Sequence, residues 1–533
     1  LFALIPVGVL LAAALGILVM QQVRPSAGYA WLIANLAALA AFGVVVYMRW
    51  SLPYQTALSN WLPFSQFTDS PILALDGASW PYALSLCAAT LAMMLTAGAR
   101  LRYQIYPWTW AASLLVSAVG LLGLYAANFL TLALAWTALD LLDLVILSAY
   151  SPNRSLGAQT VIAFGLRVAG TLLVILAALV NRSQGLAPTF TGLPALSALF
   201  VLLAGGLRLG VLPLNLSTLP DTRHRRGLGT ILRMSAAASA LVVLARLPAQ
   251  AFSPNVQAWL IAFSSLAVLY AAAMWLTAAD EIAARPYWIV ALAGLAVIST
   301  VHGQPRASMA WGVALLLSGS MIFLYSARMR GLILFPLLGL LGMSALPFTP
   351  AAGGWQGVLV EPFTVWQPAT LFAQILLLLG YLRFATRPGD VLRDMERWVQ
   401  VVYPFGLAVL VGAQWLVGTL GWKDVLTVGV WWAALPVGLG LAAAGGLSMV
   451  WRRAEVSGSA PVQWYLLAFR RVTGFLGRVL SLGWLYNLLW ALYNRAQQFV
   501  QLITDLLEGD GGVLWVFVLL ALFISVITSR VGP

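Results

Sequence analysis

The chain has 533 residues, of which 62% belong to the apolar and aromatic set AVILMFWYC and only 8% are charged. Soluble domains carry about 25% charged residues, so a body of this size could not cover itself with a soluble surface and must turn its outer face to lipid. The net charge of +13 does not mark a nucleic-acid binder, because the basic residues are scattered through short loops and no recognition helix, finger or RNA-binding motif occurs.

The single cysteine, Cys87, excludes an internal disulfide and cysteine-ligated iron–sulfur clusters, and two histidines, His224 and His302, do not make a zinc set. No nucleotide-binding loop, haem motif or Ser-His-Asp arrangement is present, so the chain is expected to carry no cofactor and no soluble catalytic domain of its own.

An apolar run of roughly 20 residues crosses a bilayer. On that scale the expected fold is an all-α polytopic membrane protein of about 16 spans, at 2–20, 29–48, 80–98, 108–127, 129–149, 159–181, 195–216, 228–247, 254–278, 287–300, 307–325, 331–347, 364–383, 400–419, 428–449 and 512–529. The first run has no positively charged leader before it and reads as a true span rather than a signal peptide. The expected organisation is N-terminal spans (1–107), a first five-helix unit (108–247), a second (254–383), two further spans (400–449), an amphipathic segment (461–508) and a last span (512–529). Loops after odd-numbered spans hold 20 basic residues and loops after even-numbered spans hold 6. The positive-inside rule then places the odd loops in the cytoplasm and both termini outside. The segment Pro461–Glu508 interleaves arginines with aromatic and apolar residues, as an interfacial amphipathic helix does. The alternative there is one more span at 472–494.

Ionisable residues at membrane depth are costly and mark candidate sites. Asp140 and Asp143 lie three apart on one face of the fifth span. Arg167, Arg208 and Arg233 lie in the sixth, seventh and eighth. The expected arrangement sets Asp140 or Asp143 against Arg208, with Arg167 or Arg233 completing a polar axis. That axis is either an ion path or a set of pairs fixing helix register. Arginine stays protonated, so only the two aspartates could relay protons. In the seventh span Pro213 interrupts the helix, and Asn215, Ser217 and Thr218 can satisfy the freed backbone groups. Pro347 and Pro350 make a similar break in the twelfth. Two inverted five-helix units, each with a broken helix, form a known transporter arrangement. The second unit is chemically poorer: Ala307 to Tyr325 holds no charged residue, and Asp280, Glu281 and Arg285 are expected in a solvated loop.

In this order and spacing the chain resembles the antiporter-like membrane subunits of respiratory complex I (NADH–quinone oxidoreductase) and of related cation/proton antiporter complexes, in particular the large distal type with a lateral helix before its last span. Arg208, Pro213 and Leu219-Pro220-Asp221 stand where the family has a lysine, a proline and a Leu-Pro-Asp stretch. ALVVLARL, ending at Arg246 and Leu247, matches a family boundary, and Leu232–Arg233 stands at the family's bridging histidine or lysine. The family's glutamate follows a tryptophan directly. Here Trp136 is followed by Thr137, with Asp140 and Asp143 further on. Trp311 stands at the second unit's lysine, before Gly319-Ser320. The resemblance implies a membrane-arm subunit with a degenerate proton path, other membrane subunits and lipid as partners, and iron–sulfur, flavin and quinone groups only in those partners. The alternatives are a component of a non-redox ion or inorganic-carbon transporter, and a structural, non-conducting subunit of an energy-transducing complex.

Overall fold

The structure is a computed structural model. It describes residues 2–442 apart from 24–28, 60–69, 104–106, 150–153, 191, 216–225, 250, 424, 427 and 432, then parts of 487–501 and the helix at 512–530. Most of the expected lateral helix, 461–508, lies outside the described residues, as do Ser217, Thr218 and Leu219-Pro220-Asp221.

The helices in chain order are α1 (Ile5–Val23), α2 (Ala30–Tyr47), α3 (Ser79–Thr96), α4 (Pro107–Tyr125), α5 (Phe129–Ala149), α6 (Arg154–Ser183), α7 (Ala195–Leu209), α8 (Leu228–Ala245), α9 (Pro254–Thr277), α10 (Arg285–Val301), α11 (Pro305–Leu324), α12 (Leu334–Gly342), α13 (Trp355–Val358), α14 (Trp366–Ala385) and α15 (Arg397–Leu420). Each expected span overlaps a described helix, although residues 443–449 of the fifteenth lie outside the described residues. Against the 16 expected spans, eleven described helices are long and apolar enough to cross a membrane, and five more apolar helices are shorter than that: Ala195–Leu209, Arg285–Val301, Gly331–Gly342, Ala433–Ala442 and Val516–Ile527. The shortening has a local cause at two of them, because the seventh and twelfth spans are broken. The chain is a multi-pass membrane protein.

Helices 4 to 8 and helices 9 to 14 repeat one neighbour pattern. In the first unit α4 packs on α5 and α8, and α6 packs on α7; in the second α9 packs on α10 and α14, and α11 packs on α12. At the centre lie α11, buried over its whole apolar window, and α3, buried nearly as fully, whereas α1, α2 and α6 expose much of their surface. The exposed side chains on those helices are leucines and valines such as Leu36, Leu172 and Leu179, as a lipid-facing surface requires. The terminal helix Gly512–Arg530 belongs to a separate compact unit.

Sequence patterning does not anticipate the small sheets. β1 (Tyr54–Ala57) and β2 (Ile72–Leu75) pair antiparallel in the connection between α2 and α3. β3 (Ala327–Arg328) and β4 (Asp390–Val391) pair in parallel.

The arginines outside the bundle interior have a second task besides topology. A helix end leaves carbonyls without partners, and it carries partial negative charge. Arg383 donates to Leu276 O and, at 3.1 Å, to Ala278 O at the end of α9, and Arg387 donates to Ala279 O at 3.0 Å. Arg328 donates to Phe384 O and Ala385 O at 3.0 and 2.8 Å at the end of α14. Arg226 reaches Phe323 O at 3.1 Å near the end of α11. Arg49 and Arg246, two exceptions to the loop bias, do the same for α15 (Leu420 O, Gly421 O) and α4 (Leu124 O, Ala126 O). A planar fork that holds two carbonyls at once suits this position better than an ammonium, which accounts for much of a composition with one lysine, Lys423.

Candidate functional site

The five charges predicted from sequence at membrane depth lie together between α5, α6, α7 and α8. Asp140 and Asp143 share a face of α5 and are 1% and 2% exposed. Arg208, on the last turn of α7, holds Asp140 through two hydrogen bonds, Nη1 to Oδ2 and Nη2 to Oδ1, both 2.7 Å. Arg167 of α6 pairs with Asp143 through Nη1, and the same nitrogen lies 3.9 Å from Asp140 Oδ1. Arg208 Nη1 also donates to Arg167 O at 3.3 Å, tying α7 to α6. The result is a chain of charges, Arg208–Asp140–Arg167–Asp143, in which Arg167 stands between both carboxylates. Each charge offsets the burial cost of its neighbour.

Trp136 adds a contact that sequence reasoning did not assign. The Arg208 guanidinium sits 4.3 Å from the centre of its ring. Trp136 lies four residues before Asp140, so the helical i, i+4 relation was the available signal. A ring face is a favourable neighbour for a desolvated guanidinium.

The break in the seventh span starts earlier than Pro213. α7 ends at Leu209 because Gly210 adopts a left-handed conformation, φ +78°. A Cβ at that position would also collide with Asn215 O, so glycine is required there on both counts. Asn215 closes the broken end: its side-chain amide donates to Leu207 O and Pro213 O at 3.3 and 3.1 Å, and its backbone N–H to Gly210 O. Beside this break lies a cavity of about 50 Å³ lined by Asp143, Arg167, Arg208, Asn215 and Arg233, among apolar residues of α8 and α10.

The second unit is built differently. Its break, from Met343 to Gly354, contains Pro347 and Pro350 and a positive φ at Phe348. Neutral groups satisfy it: Gln374 donates to Met343 O at 2.8 Å and Thr349 to Ser344 O at 3.0 Å. Trp311, at the place of the family's lysine, is fully buried, donates to Gly354 O at 3.0 Å and packs edge-on against Trp355. Trp275, Trp288 and Tyr381 form a second cluster, Trp288 lying 5.0 Å from Trp275 and 5.6 Å from Tyr381 between ring centres. Glycines receive these rings. A Cβ at Gly319, Gly339, Gly354 or Gly380 would lie under 3.0 Å from Trp288, Tyr381, Trp311 or Trp275 respectively. The interior that could have held ionisable groups is filled with indole.

The 280–288 region requires a correction. Two of its three charges are buried, whereas Asp280 is half-buried. Glu281 and Arg285 are each 5% exposed, and Glu281 pairs with Arg226 at 2.5 Å and with Arg387 at 3.7 Å. Arg285 lies over the Phe323 ring. Glu281 thus joins the start of α8 to the chain beyond α14. The sequence gives no local sign of this, because the partners lie 55 residues away in one direction and over 100 in the other.

Three solved structures share this architecture. A chain of the membrane-bound sulfane sulfur reductase, an archaeal respiratory membrane complex, aligns over 98% of this chain and 100% of its own, with a TM-score of 0.66 and 13% identity. A chain of the Mrp complex from a Dietzia species aligns over 100% of this chain, with a TM-score of 0.72 and 15% identity; the match spans 63% of that longer chain. A chain of respiratory complex I from Thermus thermophilus, solved with bound aureothin, aligns over 80% of this chain and 100% of its own, with a TM-score of 0.59 and 18% identity. The chain has the fold of an antiporter-like membrane subunit. No protein-family profile and no curated protein sequence matches it, so the likeness rests on the three-dimensional arrangement.

Proposed function

We propose that the chain is a membrane-arm subunit of a complex-I-like, proton-translocating NADH–quinone oxidoreductase, with a degenerate proton path of its own. The observation that carries this reading is the asymmetry of the two units. The first keeps carboxylates and cations on neighbouring helices around a polar cavity, whereas the second has replaced its ionisable centre with Trp311, Trp355, Trp275 and Trp288. Arginine holds its proton under ordinary conditions. In the described axis only Asp140 and Asp143 could accept one, and each must first loosen an ion pair to do so. The axis therefore suits electrostatic coupling to neighbouring subunits better than free conduction. Iron–sulfur, flavin and quinone chemistry would reside in partner subunits. The distribution of arginines favours the cytoplasmic (inner) membrane with both chain ends outside.

A second reading, a component of a non-redox ion or inorganic-carbon transporter, is favoured by the three guanidiniums, Arg167, Arg208 and Arg233, among the described residues that line the cavity. A third, a structural subunit that conducts nothing, is favoured by the indole-filled second unit. Purification of the assembly from native membranes in mild detergent, followed by mass spectrometry, separates them. Co-purification of iron–sulfur and quinone-site subunits is the expected result. Recovery with only antiporter subunits, or with a single zinc protein, moves the assignment to the transporter. Recovery of the chain alone as a monodisperse species refutes the subunit reading altogether. If the redox subunits do co-purify, Asp140→Asn and Asp143→Asn in the intact complex test whether this chain contributes to proton translocation or only shapes the arm.

A further inference from the structure

We propose that the cleft where α2 and α15 end and α3 begins binds the headgroup of an anionic phospholipid. The loop charges supply the first sign. Loops after even-numbered spans hold 6 basic residues against 20 on the other side, and two of those six, Arg49 and Lys423, line this one cleft. They come from opposite ends of the sequence and meet only in the fold. With Gly77, Trp80 and Trp422 they border an open space of about 250 Å³, far more than an ordered water needs.

Arg49 is held in place before any ligand arrives. It donates through Nε to Leu420 O and through Nη2 to Gly421 O at 3.1 Å, and its guanidinium lies 5.7 Å from the centre of the Trp80 ring. The ring is fixed in turn, because Trp80 donates to Val45 O at 2.8 Å. Arg49 Nη1 remains unburied and without a partner among the described residues. A guanidinium fixed in this way recognises a phosphate oxygen at little cost in side-chain freedom. Lys423 is exposed and adds a point charge on a flexible stem. Asp76, one residue before Gly77, is committed to Arg246 and to the Ala78 and Ser79 amides. Asp424 lies outside the described residues, so its charge is varied in the experiment.

Depth favours a lipid over a free phosphate. The cleft lies where spans end, and the exposed rings of Tyr47 and Trp50 stand beside it at the end of α2. Such rings collect at the level of the headgroups. Further along α2, Leu32, Leu36 and Leu39 are exposed and offer acyl chains an apolar face. A lipid seated here would tie the end of α15 to the end of α2 from outside, as Arg49 does from within.

The cleft does not depend on which complex the chain belongs to, so it is tested apart from the proposed function. The assembly, stripped of lipid in mild detergent, is titrated with phosphatidylglycerol labelled on an acyl chain, with phosphatidylcholine and inorganic phosphate as competitors. Taking the difference between wild type and variant cancels sites on other subunits. The expected result is one saturable site per chain that prefers phosphatidylglycerol, weakened at least about fivefold by Lys423→Gln, more by Lys423→Glu, and retained by Lys423→Arg. Arg49→Gln should also weaken it, but that change frees two carbonyls of α15, so the exposed Lys423 carries the test. Asp424→Asn, which removes a like charge, should leave binding unchanged or tighten it. Equal binding of phosphatidylcholine, or phosphatidylglycerol binding that Lys423→Glu leaves unchanged, overturns the proposal. Displacement of the lipid by inorganic phosphate at equal concentration overturns the lipid assignment in favour of a free anion. Asp424→Asn weakening binding as much as Lys423→Gln overturns the electrostatic account.

Discussion

Replacing Asp140 by Asn removes the central charge of the axis without changing its shape. Asp140 and the Arg208 side chain are each 1% exposed, and their two 2.7 Å hydrogen bonds are the only carboxylate contacts within bonding distance that Arg208 makes among the described residues. Removing one member of such a pair leaves the other charge buried and costs about 3–5 kcal/mol. Arg208→Gln is expected to cost less, about 2 kcal/mol, because Arg167 already stands 3.9 Å from Asp140 and can close on it. In the double variant neither charge is left stranded, so the cycle should show a coupling of about 2 kcal/mol. Thermal and chemical unfolding of the purified protein in mild detergent, followed by tryptophan fluorescence, gives the four stabilities. Equal costs for the two single variants, or strict additivity in the double, would refute the account of Asp140 as the shared anion.

Three further outcomes follow from other parts of the molecule. Gly319→Ala and Gly380→Ala press a methyl against Trp288 and Trp275, so each should cost about 1–3 kcal/mol, while Gly412→Ala, with open space around it, should be neutral or slightly stabilising in the same unfolding assay. Arg328→Gln, which releases two carbonyls at the end of α14, should cost about 1–3 kcal/mol, with Arg328→Lys intermediate because an ammonium does not reproduce the two-point fork. Asp76, in the connection before α3, bonds the Ala78 and Ser79 amides and pairs with Arg246 at 3.1 Å. Burial pushes its carboxyl up, but Arg246 and the Ser79 hydrogen bonds outweigh that and hold it below the ordinary carboxylate value. The unfolded chain therefore binds this proton more readily than the folded one. The stabilisation is complete above about pH 4 and is lost as the pH falls through the lower folded value. Acid unfolding curves of wild type and Asp76→Asn should converge at low pH, and parallel curves would contradict the assignment.

Much of this molecule is written in local composition. Runs of apolar residues long enough to cross a bilayer need no tertiary information to be recognised, because lipid forces every backbone polar group to be satisfied within the helix itself. For that reason eleven of the expected spans coincide with described helices long and apolar enough to cross a membrane. Buried charge is legible for the same reason: Asp140, Asp143, Arg167, Arg208 and Arg233 stand out against apolar surroundings wherever they pack. The prolines at 213, 347 and 350 announce breaks, though the first break begins at Gly210, whose left-handed backbone the sequence pattern did not reveal.

What only the tertiary structure decides is who meets whom. The two-point bond of Asp140 to Arg208, and the place of Arg167 between both carboxylates, depend on how α5, α6 and α7 are rotated against one another, and helical periodicity specifies a face but not the neighbour it is turned to. Glu281 looked like solvated loop charge because its partners Arg226 and Arg387 arrive from distant parts of the chain. The arginines that close helix ends looked like a topology signal alone, because the carbonyls they bind belong to other helices. In the second unit the composition revealed that charge was missing, while the packing of Trp275, Trp288 and Trp311 onto glycines showed what fills its place. Burial and charge are properties of a residue and its near neighbours in sequence; pairing, capping and filling are properties of surfaces brought together from far apart, and they exist only once the helices have packed.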